Sequence, residues 1–184
     1  GNELWDFSLV DPDNRRPVDF SLRARTLQKI ERLHRAHPPA LRDLACSLLQ
    51  APEDGAVKLF LTHACLIARR QHPALFRDSA YAPLRSTGSK RAHICSFARW
   101  LGEETVIAVA PVLVAGLLKG RPGLPLGEVW GDTSLPLPNP RGGVYRNLLT
   151  NEAVETTPLS GKGVRLPLSQ VLQSFPVALL LRAA

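Results

Sequence analysis

The chain has 184 residues, of which 45% are hydrophobic and 21% are charged, a composition typical of a globular protein rather than a disordered one. Its 23 basic and 16 acidic residues give a net charge of +7, but the basic residues are scattered and never alternate with aromatic ones, so we expect no nucleic-acid partner. The longest uncharged apolar run, residues 105–118, contains Pro111 and is shorter than the ~18 residues that a membrane helix needs, so we expect no membrane segment.

Three helices are predicted in the first part of the chain. Residues 1–17, rich in Asp, Asn, Pro and Arg, predict an irregular loop before them. One helix is expected from Asp19 to the prolines at 38 and 39, with Leu27, Ile30 and Leu33 at helical spacing, and a second over residues 39–49. The third follows Glu53 and Asp54, ends at Pro73, and has an apolar face formed by Val57, Phe60, Leu61, Ala64, Ile67 and Ala68.

Beyond residue 76 the pattern changes to short runs rich in Val, Ile, Thr, Tyr and Leu, separated by turn residues. Residues 111–143 hold 6 of the 16 prolines and 7 of the 13 glycines, which predicts a long loop. The expected fold class is therefore α+β: a helical region, residues 1–78, followed by an antiparallel β-sandwich, residues 79–184. Strands are predicted at residues 80–84, 93–100, 105–110, 143–149, 164–168 and 176–181.

The sequence gives no indication of a metal site or a cofactor. Cys46, Cys65 and Cys95 are widely spaced and form no Cys-x-x-Cys pair, which argues against a zinc site or a disulfide framework and favours the reducing cytoplasm. The five histidines show no metal-ligand spacing. Because the chain begins at Gly1 and contains no methionine, we expect it to be a piece of a longer protein.

The densest polar stretch, residues 5–17, is the candidate binding site. Carboxylates accept hydrogen bonds, guanidinium groups donate them in a fixed fork, and an exposed indole offers a flat face to a sugar ring. The alternative is that the arginines pair with the aspartates and brace the loop. Glycoside chemistry needs two opposed carboxylates, about 5 to 5.5 Å apart for retention, and nothing in the sequence places such a pair, so no catalytic residue is assigned. The candidate substrate-binding residues are Trp5, Asp11, Asp13, Asn14, Arg15 and Arg16.

Residues 1–20, and above all the Asp-Pro-Asp-Asn-Arg-Arg-Pro-Val-Asp stretch at 11–19, closely resemble the maltooligosyltrehalose synthase family, the (1→4)-α-D-glucan 1-α-D-glucosylmutases of the α-amylase superfamily. In that family this loop follows a Tyr-Gln-Gly-x-Glu stretch at the end of the eighth barrel strand, and Gly1 resembles its glycine. Softer resemblances lie at residues 54–59, 69–76, 129–133, 145–150 and 175–180.

This resemblance implies an isomerase of trehalose biosynthesis that converts the reducing-end α-1,4 bond of a maltooligosaccharide into an α,α-1,1 bond. The family's catalytic carboxylates precede the position of Gly1, so the chain would be a C-terminal portion that is inactive alone. Its partners would be the missing N-terminal catalytic barrel and, through the parent enzyme, a maltooligosaccharide. Residues 19–72 would be the tail of the (β/α)8 barrel and its extension, and residues 79–184 the C-terminal β-domain.

Two alternatives belong to other functional classes. A non-catalytic carbohydrate-binding β module would need several aromatic side chains facing solvent, whereas most of the 11 aromatic residues lie within apolar patterns. A basic nucleic-acid adaptor would bind heparin with a steep dependence on salt concentration.

Overall fold

The computed structural model describes residues 2–36, 41–138, 141–159, 161 and 163–182. In these residues a helical part precedes two antiparallel sheets, which confirms the predicted α+β class. After a short 3-10 turn at Asp13–Arg15, the first part contains four helices. They are α1 (Phe20–Ala36), α2 (Leu41–Leu48), α3 (Ala56–Gln71) and α4 (Pro73–Arg77).

The helix α1 begins where the sequence predicts. The Asp19 carboxylate accepts a hydrogen bond of 2.8 Å from the backbone N–H of Leu22 and so satisfies one of the unpaired donors of the first turn. Its predicted apolar face is only partly correct, because Ile30 is buried and Leu27 packs against the core whereas Leu33 is exposed. The predicted start of α2 at Pro39 lies outside the described residues.

The prediction for α3 is confirmed more completely. Phe60, Ala64 and Ala68 are buried, and Val57 and Leu61 pack against the same core. Pro73 ends α3 as expected, but it also occupies the first turn of α4, a position where a missing N–H costs nothing.

The six predicted strands are all present, with ends shifted by at most two residues. The six-stranded sheet has the order β1-β2-β3-β9-β5-β6, and the three-stranded sheet has the order β4-β8-β7. The strands are β1 (Ala80–Pro83), β2 (Ile94–Leu101), β3 (Glu104–Pro111), β4 (Ser134–Leu137), β5 (Val144–Asn147), β6 (Ala153–Glu155), β7 (Thr157–Pro158), β8 (Val164–Pro167) and β9 (Ala178–Arg182).

The prediction of one long loop over residues 111–143 is wrong. This stretch contains the short helix α5 (Val114–Leu117), a 3-10 turn at Gly127–Trp130 and the strand β4. β4 has the sequence Ser-Leu-Pro-Leu, whose proline argues against a strand, yet it pairs with β8 over its whole length. A further short helix, α6 (Leu168–Val171), follows β8.

The six-stranded sheet is the middle of three layers. On one face Ile107, Tyr145 and Leu180 pack against Leu135 and Leu166 of the smaller sheet. Because neighbouring residues along a strand point to opposite faces, the residues next to these in sequence face the helices. Val106 and Leu179 belong to the same buried core as Phe60 of α3. The Phe60 ring contacts the Phe175 ring edge-on, with 6.0 Å between the ring centres. In the described residues no helix is both long and apolar enough to cross a membrane.

Candidate functional site

The N-terminal loop, residues 2–18, is anchored to the start of α3 through its first residues. Leu4 is buried in the helical core, and its carbonyl oxygen accepts a hydrogen bond of 3.1 Å from Lys58 Nζ. The Trp5 indole N–H donates to the carbonyl oxygen of Pro52 at 2.6 Å. The same Lys58 ammonium lies 5.3 Å from the centre of the Trp5 ring, within cation–π range.

Gly55 allows the loop to approach α3 this closely. Its φ of +76° favours glycine, and a Cβ atom at this position would lie 2.7 Å from the backbone nitrogen of Trp5. The position of Trp5 therefore depends on a residue 50 positions later in the chain.

Four of the six candidate residues form ion pairs with one another. Arg15 makes a two-bond contact with the Asp11 carboxylate, one bond being 3.0 Å between Nη2 and Oδ2. Arg16 Nη2 pairs with Asp13 Oδ1, while Asp13 Oδ2 accepts a bond of 2.9 Å from the backbone N–H of Leu9. These four residues therefore pair in the way that the bracing alternative predicts.

The pairs still leave polar surface for a ligand. The Arg15 and Arg16 side chains are about three-quarters exposed, so their remaining N–H groups face solvent. Asn14 lies in the 3-10 turn between the two pairs and is exposed, and 42% of the Trp5 surface is accessible. The structure thus places all six residues on one exposed loop.

The remaining carboxylates of the loop are poor candidates for a general acid. Two hydrogen bonds from Ser8, made by its hydroxyl and its backbone N–H, lower the pKa of Asp6. The pKa of Glu3 is also lowered, first by a backbone hydrogen bond and then by Arg23, whose Nε lies 3.0 Å from the Glu3 carboxylate. A glycosidic general acid needs a raised pKa. Both groups are suited to accept hydrogen bonds instead.

A cavity of about 430 Å3 lies next to this region, between α1, α2 and the turn before α3. Ile30, Leu44 and Leu48 form its apolar walls, and Arg25 and Lys29 lie among its polar lining. None of the six candidate residues lines it. Over the described ranges, no group of three or more potential metal ligands occurs.

Trp5 has three neighbours that the sequence pattern does not reveal, namely Pro52, Gly55 and Lys58. These residues lie about 50 positions from Trp5, and no periodicity or local spacing connects the two segments. A weak signal was available, because Gly55 and Lys58 fall within residues 54–59, one of the stretches that resemble the family.

No family model matches the chain. Two relatives from Mycobacterium tuberculosis, strains CDC 1551/Oshkosh and ATCC 25618/H37Rv, are each 32% identical over 182 residues, which is 99% of this chain. Both are provisionally named maltooligosyl trehalose synthase. The resemblance to the maltooligosyltrehalose synthase family is therefore confirmed. The chain spans 18% of the length of these two relatives.

Proposed function

We propose that this chain is the C-terminal portion of a glucosylmutase that converts the reducing-end α-1,4 bond of a maltooligosaccharide into an α,α-1,1 bond. The observation that carries the proposal is the 32% identity over 99% of the chain to relatives named maltooligosyl trehalose synthase. Because the chain spans only 18% of their length, we place the catalytic carboxylates in a barrel outside this sequence. The pathway would be trehalose biosynthesis in the cytoplasm.

The division of the chain into two regions is also a proposal. Residues 1–78 would be the end of the catalytic barrel with its extension, and residues 79–184 would be a C-terminal β-sandwich. The sandwich is supported by the shared core, in which Tyr145 and Leu180 of the larger sheet meet Leu166 of the smaller one. The boundary is supported by the change from helix to strand between Arg77 and Ala80.

In the parent enzyme, the six candidate residues would bind or position the sugar. The exposed part of the Trp5 ring offers a stacking surface, and the two guanidinium groups offer donors that the aspartates orient. A stand-alone carbohydrate-binding module is less well supported. Among the described residues of the β region, Tyr81 is the one exposed aromatic side chain.

The first test uses the isolated chain. Purified polypeptide incubated with maltopentaose should give no non-reducing, trehalose-ended product, because neither a carboxylate nucleophile nor a general acid is available. The product assay is loss of reducing ends followed by chromatography. Turnover that persists after contaminating enzymes are removed would refute the proposal that the chemistry lies elsewhere.

The second test separates sugar binding from bracing in a family-length protein that carries this segment. If Asp13 and Arg16 act on the sugar in the transition state, Asp13→Ala and Arg16→Ala should lower kcat without lowering the melting temperature. Arg77→Ala is the matched control for Arg16→Ala, since the Arg77 side chain is similarly exposed and pairs with Asp78 at 2.8 and 2.9 Å. Wild-type kinetics in both loop variants would show that Asp13 and Arg16 take no part in binding or converting the sugar.

A further inference from the structure

The cavity of about 430 Å3 between α1, α2 and the turn before α3, called the α1–α2 cavity below, has no part in the proposed function. Its walls are one face of each helix, with residues spaced by three or four positions: Thr26, Ile30 and Leu33 on α1 and Leu44, Ser47 and Leu48 on α2. The helices α1, α2 and α3 also contact one another. The described lining of the cavity is therefore built from packed elements of this chain.

Small side chains leave this space unfilled. Ser47, Ala51 and Ala56 all line the cavity, whereas the larger Ile30 and Leu44 on its walls are buried in the helical core. Folded cores are close-packed and contain few voids larger than a water molecule. A volume of about 430 Å3 exceeds such a packing defect and lies within the range of roughly 300–1,000 Å3 that is typical of small-molecule sites.

Two cations without ionic partners border this apolar space. Arg25 and Lys29 lie four positions apart on α1, and both are exposed. Within the described part of the chain, neither side chain forms an ion pair or a hydrogen bond. Asp54, the one carboxylate in the described lining, is engaged at the start of α3, where its Oδ1 accepts a bond of 2.7 Å from the Ala56 N–H. Because like charges at this helical spacing repel each other, an anion between Arg25 and Lys29 would relieve an unfavourable interaction.

We propose that the α1–α2 cavity binds a small organic anion whose charged group is attached to an apolar body, as in a medium-chain carboxylate. The apolar body contacts Ile30, Leu44 and Leu48, and the anionic group lies at the solvent side between Arg25 and Lys29. Burial of the apolar body supplies affinity, and the two cations select for negative charge. A maltooligosaccharide has neither a charge nor an aliphatic chain. This site is therefore separate from the sugar-binding loop, and the inference does not rest on the proposed function.

Calorimetric titration of the 184-residue chain with three related probes tests the proposal. Octanoate should saturate one site, whereas octanol, which lacks the charge, and acetate, which lacks the apolar body, should each bind about tenfold more weakly or not at all. In NMR spectra octanoate should shift the methyl signals of Ile30, Leu44 and Leu48 and leave those of Leu113, in the β region, unchanged. Failure of octanoate to saturate, or equal affinity for octanol, would overturn the proposal.

A pair of double variants separates the local cations from the overall charge of the chain. Arg25→Gln combined with Lys29→Gln should weaken octanoate binding by about tenfold, because two exposed ionic contacts are lost. The control is Arg69→Gln combined with Arg70→Gln, which removes the same charge from exposed positions in the last turn of α3 and should leave the affinity unchanged. All four positions are exposed, so both double variants should keep the melting temperature of the parent chain. Equal affinity losses in the two double variants would show that octanoate responds to net charge alone, which overturns the proposal.

Filling and competition provide independent measurements. Ala51→Leu places a larger side chain in the lining and should lower the affinity for octanoate but not for an unrelated cation-binding control such as heparin. An excess of maltotriose should leave octanoate binding unchanged, and displacement by maltotriose would assign the cavity to sugar and overturn the proposal. A family-length protein carrying this segment should bind octanoate with the same affinity. Loss of binding there would mean that another part of the polypeptide occupies the cavity, which also overturns the proposal.

Discussion

The N-terminal loop and residues 118–134 are both irregular, yet they end in opposite environments. Each contains a tryptophan whose indole N–H donates to a proline carbonyl, from Trp5 to Pro52 at 2.6 Å and from Trp130 to Pro125 at 2.8 Å. Trp130 is completely buried, whereas Trp5 is 42% exposed. The same type of hydrogen bond therefore fixes a tryptophan inside the core in one region and at the surface in the other.

The two segments differ in how far along the chain their hydrogen-bond and ion-pair partners lie. Residues 118–134 are tied to distant parts of the chain: the Gly127 N–H donates to the Leu172 carbonyl at 2.9 Å, and Asp132 accepts two bonds from Ser89. Beyond its anchor at Trp5, the N-terminal loop is tied mainly by pairs three or four residues apart. This contrast indicates that long-range contacts hold residues 118–134 more firmly than they hold the part of the loop beyond Trp5.

The largest expected effect comes from truncating the two tryptophans. Trp130→Ala should lower the free energy of unfolding by about 3–5 kcal/mol, because it opens a large cavity in the core shared by the two sheets. Trp5→Ala should cost roughly 1 kcal/mol, mainly through its hydrogen bond to Pro52. Urea unfolding of both variants measures the difference, and equal losses would contradict the contrast between the segments.

A glycine in the turn that contacts residues 118–134 should show the next largest effect. Gly88 has a φ of +100°, and a Cβ atom there would lie 2.7 Å from the Cα atom of Thr133, so Gly88→Ala should destabilise the chain by about 2–4 kcal/mol. Gly102→Ala is the matched control, because Gly102 has a φ of +57° but no atom within 4 Å of the added Cβ. We expect the control to cost about 1–2 kcal/mol, from backbone strain alone. Thermal unfolding of the two variants measures how much of the destabilisation comes from the close contact and how much from the positive φ. Equal losses in the two variants would show that the contact at Gly88 adds nothing.

Unfolding at low pH allows the contributions of Asp132 and Asp6, one carboxylate from each segment, to be compared. Hydrogen bonds from Ser89 lower the pKa of Asp132 in the folded state, and those from Ser8 lower the pKa of Asp6. A lowered pKa stabilises the fold above the usual carboxyl pKa, about 3.9 for aspartate, and this contribution is lost as the pH falls through the folded-state pKa.

Because Ser8 is only two residues from Asp6, part of its hydrogen bonding can persist in the unfolded chain. Asp132→Asn should therefore reduce the acid sensitivity of the urea midpoint more than Asp6→Asn does. The measurement is the midpoint of urea unfolding at several values between about pH 2 and pH 5, a range that brackets the aspartate pKa. A larger change in the Asp6 variant would refute the argument from sequence distance.

The smallest effect is expected for the exposed Asp11–Arg15 pair. Water screens both side chains, so a double-mutant cycle with Asp11→Ala and Arg15→Ala should give a coupling energy of about 1 kcal/mol or less in the isolated chain. The coupling is measured from four urea titrations. A coupling of several kcal/mol would mean that the loop is held as firmly as residues 118–134.

The regular elements were predictable where a periodic pattern was long enough. α3 follows from its apolar repeat, β3 follows from its Val- and Ile-rich sequence, and β2 follows from an eight-residue run that contains Ile94, Phe97 and Trp100. β6 and β7 have three and two residues, too few to show alternation, and β4 contains a proline that argues against a strand. Their extended conformation depends on pairing with partners elsewhere in the chain, which local sequence does not encode.

For the candidate site, the sequence by itself determined the residue types, the irregular conformation of the loop and the family that the chain resembles. It also limited the pairing of Arg15 and Arg16 to two nearby aspartates, because the partners lie only three or four residues away. Only the tertiary structure decided that Trp5 lies against Pro52 and Lys58, and that Phe7, Leu9 and Val10 face outward. The physical reason is that burial depends on which distant segments meet, whereas ion pairs within one turn depend on local chain geometry.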